Sequence, residues 1–130
     1  MLGTFQQSQL RIELAASGAA IAQSLLRPNA LKQWMWWQRF SEGLPEVLKE
    51  GTTFTSWLGP VEIAHRVEQV GDNHLRLLMS QGIDGYQDWR WGDGWVQSDL
   101  AGVSLLPLSL GQTASLTQLR QYLDRPKIIP

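Results

Sequence analysis

The chain has no cysteine among its 130 residues, which excludes a disulfide framework, a thiolate metal site and a cysteine nucleophile. It also lacks a charge excess: 11 basic and 12 acidic residues leave a formal charge of −1. That balance removes the electrostatic footprint of a nucleic-acid binder. Long apolar runs are missing too. Ala15 to Leu26 is interrupted by Ser17, Gly18, Gln23 and Ser24, so it reads as a helix and not a signal peptide. Leu100 to Leu119 is uncharged, but Ser104, Pro107, Ser109, Gln112 and Thr113 break it well short of a membrane span. The expectation is a soluble, cytoplasmic protein forming one domain over residues 1–130.

What the chain does have is tryptophan. Seven are present, and six fall in two groups: Trp34, Trp36 and Trp37 in one, Trp89, Trp91 and Trp95 around a glycine-rich turn in the other, with Trp57 alone. Each ring carries a large apolar surface and one N–H that needs a partner, so such groups line a core or a partly open cavity.

Turn signals recur at the spacing of an antiparallel meander. They lie at Lys49-Glu50-Gly51, Gly59-Pro60, Gly71-Asp72-Asn73, Ile83-Asp84-Gly85 and Gly92-Asp93-Gly94. The runs between them predict strands over 4–14, 38–47, 52–58, 61–70, 74–82, 86–92 and 95–106. Ser17 can cap a helix through Ile21, Leu25 and Leu26, and Asn29 a second one holding Leu31 and Trp34. Leu116, Leu119 and Leu123 form a helical stripe that predicts a last helix from about Leu110 to before Pro126, leaving Lys127-Ile128-Ile129-Pro130 as a loosely held tail.

Alternation then assigns faces. Across Gly59-Pro60, Leu58 meets Val61, Ser56 meets Ile63 and Phe54 meets His65; across the next loop Val67 meets Leu77 and His65 meets Met79. Phe54, Leu58, Val61, Ile63, His65, Val67, Leu75, Leu77 and Met79 therefore point inward, with Glu62, Arg66, Glu68 and Arg76 outside. The following hairpin has two solutions. A two-residue turn at Asp84-Gly85 turns Asp88 and Arg90 inward, whereas a three-residue loop with Gly85 left-handed turns Trp89 and Trp91 inward. Burying two tryptophans is favourable by several kcal/mol and burying an unpaired charge is unfavourable, so the tryptophans are assigned to the core. Arg90, Gln97 and Asp99 then lie outside, where Asp88 and Asp99 pair with Arg90. Trp57 and Trp95 fall on the outer face as well, which calls for either a self-association patch or a local bulge.

The layout resembles the helix-grip fold of the START and birch-pollen-allergen superfamily, also called SRPBCC, with its polyketide cyclase/dehydrase-like proteins. The likeness is carried by a first strand leading into Ala15-Ala16-Ser17, two short helices ending in Asn29-Ala30-Leu31-Lys32-Gln33-Trp34, and the Glu50-Gly51-Thr52-Thr53-Phe54 strand start. The tryptophan-rich hairpin and Leu105-Leu106-Pro107-Leu108 before the final helix complete it. The resemblance implies an α+β fold: a curved seven-stranded antiparallel sheet wrapping a long carboxyl-terminal helix, with an apolar cavity between them. It implies binding or carriage of a small apolar molecule (lipid, isoprenoid, polyketide or pigment-like). Two other roles fit the same fold: a cyclase or dehydratase using that cavity, and a co-chaperone-like interaction module.

His65 is the polar residue on the apolar face. It can orient a ligand or act as a base there, or be a core histidine satisfied by a backbone carbonyl. His74, beside a turn, should be exposed, and two histidines without spaced carboxylates make no metal site. Asp84 and Asp93 read as turn residues. Trp34, Trp36 and Trp37 follow the second helix, where the family's cavity opens; with Phe40 they can clamp a ligand or simply plug the sheet's end. The candidate site is thus Trp34, Trp36, Trp37, Phe40, Phe54, Ile63, His65, Met79, Trp89 and Trp91. His65 is the one catalytic candidate, and no cofactor or metal is expected. A homodimer through Trp57 and Trp95 is a further possibility.

Overall fold

The computed structural model describes residues 3–124, so the expected loose tail at 127–130 lies outside them. β1 (Thr4–Glu13) is followed by α1 (Gly18–Leu26) and α2 (Pro28–Trp34). Then come β2 (Arg39–Phe40), β3 (Thr53–Leu58), β4 (Val61–Gly71), β5 (His74–Gln81), β6 (Ile83–Gly92) and β7 (Trp95–Ser104), and α3 (Leu108–Leu123) closes the order. The strands form one seven-stranded sheet in the order β1-β7-β6-β5-β4-β3-β2, antiparallel throughout. This is the expected α+β architecture. No helix among the described residues is long and apolar enough to cross a membrane.

Local chemistry explains most boundaries. Ser17 caps α1, its Oγ accepting from the Ala20 N–H at 3.1 Å. The second helix starts differently from expectation: Arg27 occupies the cap position without a side-chain bond and Pro28 opens the first turn, so Asn29 lies inside the helix. A proline there has its φ preset for a helix and lacks only an N–H that would be unpaired anyway. The strand expected over 38–47 shrinks to Arg39–Phe40. Gly43 takes a φ of +78°, and Pro45 cannot donate to a ladder. The chain instead turns back so that the Leu48 N–H donates to the Leu26 carbonyl at 2.7 Å.

The register of β3, β4 and β5 follows the alternation, with Leu58–Val61, Ser56–Ile63, Phe54–His65, His65–Met79 and Val67–Leu77 as partners. A bulge between Val67 and Gln69 then resets β4 so that Val70 opposes Leu75. The β5–β6 turn sits elsewhere than either hairpin solution put it. Met79 already pairs with Gly85, and the chain reverses at Gln81, whose φ is +72°, and Gly82. Gly85 is not left-handed; it pairs with Gly102 on β7, and a Cβ on it would collide with the Ala101 backbone. Relative to the three-residue loop each partner moves by four residues, an even number, so the faces assigned on that solution do not change. Trp89 and Trp91 are buried, at 2% and 1% exposure.

On the outer face the ion pairs differ from the expected ones. Asp88 bonds not to Arg90 but to His74, at 2.7 Å, and to Arg76, at 2.6 Å. His74 is accordingly half-buried and partnered. Arg76 also reaches Glu68 at 3.0 Å and covers the Tyr86 ring. Trp57 and Trp95 do lie outside, each under a guanidinium: Arg39 is 4.8 Å from the Trp57 ring centre and Arg11 is 4.0 Å from that of Trp95. Three strands separate the two rings, a spacing of about 19 Å, so they do not make one patch.

Inside, the core divides. One cluster joins Ile21 and Leu25 of α1, Trp34 of α2, Trp89, Trp91 and Val96 of the sheet, and Leu116 and Leu119 of α3. A smaller one joins Ile63, Met79, Ile83, Leu100 and Leu108. Trp34 meets Trp89 edge-on at 6.4 Å and donates its Nε1–H to the Ser24 carbonyl at 2.9 Å. Burying a tryptophan removes apolar area worth roughly 4–6 kcal/mol. Trp34→Ala is therefore expected to lower unfolding free energy by about 3–5 kcal/mol, and Trp36→Ala, 69% exposed two residues on, by under about 0.5 kcal/mol. Urea titration of both variants checks the contrast.

Candidate ligand cavity

α3 crosses the concave face of the sheet, and where the two core clusters part a cavity of about 330 Å³ remains between helix and sheet. The sheet contributes Leu58, Ile63, His65, Met79, Ile83, Gln87 and Leu100 to its wall. Met35, Trp37 and Gln38 close one side from the segment after α2. From α3 come Leu108, Gly111, Gln112 and Ser115, with Leu106, Pro107 and Leu110 at its start. No side chain in this wall carries a formal charge at neutral pH.

The helix is held by one buried amide. Gln112 Nε2 donates to the Ser98 carbonyl at 2.8 Å and lies 3.0 Å from Ser98 Oγ and 3.3 Å from the Ser8 carbonyl. Its Oε1 accepts from Ser8 Oγ at 2.6 Å. On the sheet Gln87 Nε2 adds a bond to Ser98 Oγ at 3.3 Å. At the helix start Gln6 accepts from the Leu108 N–H at 3.0 Å and donates to the Leu106 carbonyl at 2.7 Å.

His65 stacks on Phe54, ring centres 4.6 Å apart and planes 8° from parallel. Its Nε2 lies 2.8 Å from Ser56 Oγ, a side chain with 0% exposure. Its Nδ1 is buried with no hydrogen-bond partner, so the carbonyl contact considered from the sequence is not made. Burial disfavours the charged ring and lowers its pKa from 6.5 to about 4.

The structure brings together Trp37, Ile63, His65 and Met79 of the sequence-derived site around the cavity. Phe40, Phe54 and Trp89 border instead a neighbouring void of about 50 Å³, which His65 also touches. Trp34 and Trp91 are core side chains without a cavity face, and Trp36 stands outside, packed edge-on against Trp37 at 5.7 Å. Trp36 donates to Gln118 of α3 at 3.4 Å. The three tryptophans after α2 thus do not form one clamp. Sequence reasoning missed the helix side of the site. Its signal was present: Leu108, Gln112, Ser115 and Leu119 follow the i, i+4, i+7, i+11 spacing of one face, with two polar residues interrupting an apolar stripe. A wider hollow of about 490 Å³ over Thr55, Ala64, Arg66 and Ser80 is an open concavity of polar character, not an enclosed site.

Metal chemistry has no support among the described residues, which contain no group of three or more histidine, aspartate or glutamate side chains placed to hold an ion. The lowered His65 pKa has a stability consequence. The unfolded chain takes up a proton near pH 6.5, the folded chain only near 4, so the neutral ring's contribution is intact above pH 6.5 and declines as pH falls toward 4. The stability advantage of wild type over His65→Leu should shrink by a few kcal/mol between pH 7 and pH 4, and chemical denaturation at both pH values measures it. A pH-independent difference would contradict the burial assigned to this ring.

No protein-family model matches the chain, and no curated protein matches it by sequence. Solved structures do match by shape. A protein from Chromobacterium violaceum superposes with a TM-score of 0.72 at 17% identity, over 92% of this chain and 98% of that one. Truncated norcoclaurine synthase from Thalictrum flavum gives 0.68 at 14%, over 98% of each chain. The Aha1 dimer structure from Colwellia psychrerythraea gives 0.67 at 13%, over 95% and 99%. At such identities the likeness is one of fold, and with the seven-stranded sheet and long last helix described above it shows that the chain shares the helix-grip fold of these proteins.

Proposed function

We propose that the protein binds or carries a small, uncharged, apolar molecule in the cavity between the sheet and α3. The observation that carries this reading is the wall itself: a space of about 330 Å³, open to solvent past Leu110 and Gly111, with apolar side chains on most sides and no formal charge. That volume falls at the small end of ligand sites, roughly 300–1,000 Å³. The void lies beside the tryptophan core, where Gln112 ties helix to sheet between the apolar contacts of Leu108 and Leu116. A norcoclaurine synthase of this fold has been solved in complex with dopamine and hydroxybenzaldehyde, so the fold accommodates small aromatic molecules.

The enzyme reading has less behind it. His65 pairs with a serine hydroxyl and has no carboxylate to orient it or to stabilise its charged form. An interaction module built on Trp57 and Trp95 is weakened by their separation and by the arginines over both rings.

Gly111 offers a direct test. It sits on α3 at the cavity wall, and a Cβ there meets nothing within 4 Å. Gly111→Phe should keep or raise the melting temperature, since glycine disfavours helix by about 1 kcal/mol, and should weaken binding of 2-ethylnaphthalene by at least about tenfold. Quenching of tryptophan fluorescence, with Trp37 in the wall, follows the titration. Absence of a saturable signal with wild-type protein would contradict the proposal.

A further inference from the structure

Gln87 is an amide in an apolar setting. It lies on the inner face of β6, two residues before Trp89, and its neighbours across the sheet are Leu77 of β5 and Leu100 of β7. With a strand on either side and helices over that face, solvent reaches its side chain through the voids it borders: the cavity of about 330 Å³ and the smaller one of about 50 Å³. Gln87 is half-buried, unlike both of those leucines. Its Nε2 is tied to Ser98 Oγ at 3.3 Å, and its Oε1 has no partner among the described residues. The one solvent-inaccessible side-chain nitrogen or oxygen there without a partner is His65 Nδ1, so the unpaired Gln87 oxygen is accessible. Turning the amide over exchanges the two atoms and keeps the arrangement: one end is held by Ser98 and the other faces the void.

We infer that the free end of the Gln87 amide is the polar anchor of the cavity, and that it selects neutral molecules carrying one hydroxyl group on an apolar body. This rests on the cavity being a ligand site. A hydroxyl donates to the amide oxygen and can also accept from the amide nitrogen, so it pairs with Gln87 in either orientation; a ketone or ether can only accept. An amide end in an apolar wall is costly to leave unpaired, so water meets it until a ligand hydroxyl takes that place. The other polar groups of the wall are less suited. Gln112 has both ends of its amide occupied by Ser8 and Ser98. Ser115 can turn its hydroxyl to the Gly111 carbonyl four residues back in its own helix. Trp37 and Gln38 reach the wall from a loop and not from the sheet, where position is fixed by pairing. Ile63, Met79 and Leu100 supply the apolar surface, and no charged side chain offsets the desolvation of an ionic ligand.

Calorimetric titration of wild type and Gln87→Leu with 2-naphthol and 2-methylnaphthalene, which differ by a hydroxyl in place of a methyl group, tests the anchor at pH 7. The affinity ratio of naphthol to methylnaphthalene should fall about tenfold in Gln87→Leu, with methylnaphthalene bound at least as tightly as by wild type. A ratio that the substitution leaves unchanged would overturn the anchor, assign the amide to water alone and leave the cavity reading standing. Failure of both compounds to bind wild type would contradict both. Should Gln87→Leu not fold, the side-chain amide resonances of Gln87 in ¹⁵N-labelled wild type decide: they should move with naphthol and far less with methylnaphthalene, and equal movement with the two would overturn the inference.

Discussion

The helix-to-sheet contact through Gln112 is the constraint on which the rest of the site depends. A buried amide left unpaired is strongly unfavourable, so its bonds to Ser98 on β7 and Ser8 on β1 fix where α3 crosses the sheet. Once that crossing is fixed, Leu116 and Leu119 fall over the tryptophans and Leu108 over Ile63, Met79 and Leu100. Between these two contacts the helix presents Gly111, Gln112 and Ser115, which are too small or too occupied to fill the space. The cavity is the volume left by a polar tether set between two apolar ones.

The seven tryptophans divide by what their N–H groups and faces can reach. Trp34 has a carbonyl for its N–H and a ring partner in Trp89, so it is buried. Trp37 is at the cavity wall and Trp36 outside it, although the two are adjacent. Trp57 and Trp95 sit on the outer face, where the guanidinium groups of Arg39 and Arg11 cover their rings. Aromatic clustering along a chain therefore does not imply clustering around a ligand.

Much of the fold was legible because two-residue alternation and short turns leave few registers open. The pairing of Phe54 with His65 and of His65 with Met79 follows from one turn at Gly59-Pro60 and one apolar face. The β5–β6 turn was not legible: Asp84-Gly85 has turn composition, yet the reversal uses Gln81 in a left-handed conformation, and Gly85 is required for close approach to Ala101 and Gly102. The burial of Trp89 and Trp91 survived that error, since an even displacement preserves parity. The partners of Asp88 did not, because they depend on which residue stands opposite. The helix wall of the cavity was missed for a related reason. Gln112 and Ser115 look like solvent-facing residues until the helix phase is fixed by Leu108 and Leu119.

An uncharged cavity that holds one small neutral molecule should keep that molecule through a gentle purification. Native mass spectrometry of the full chain purified from its own host reads out what it carries. The expected result is a single adduct, released on denaturation as a neutral molecule with a mass suited to about 330 Å³. Protein that is bare throughout gentle purification, or that retains an ion or a molecule far larger than the cavity, would contradict it.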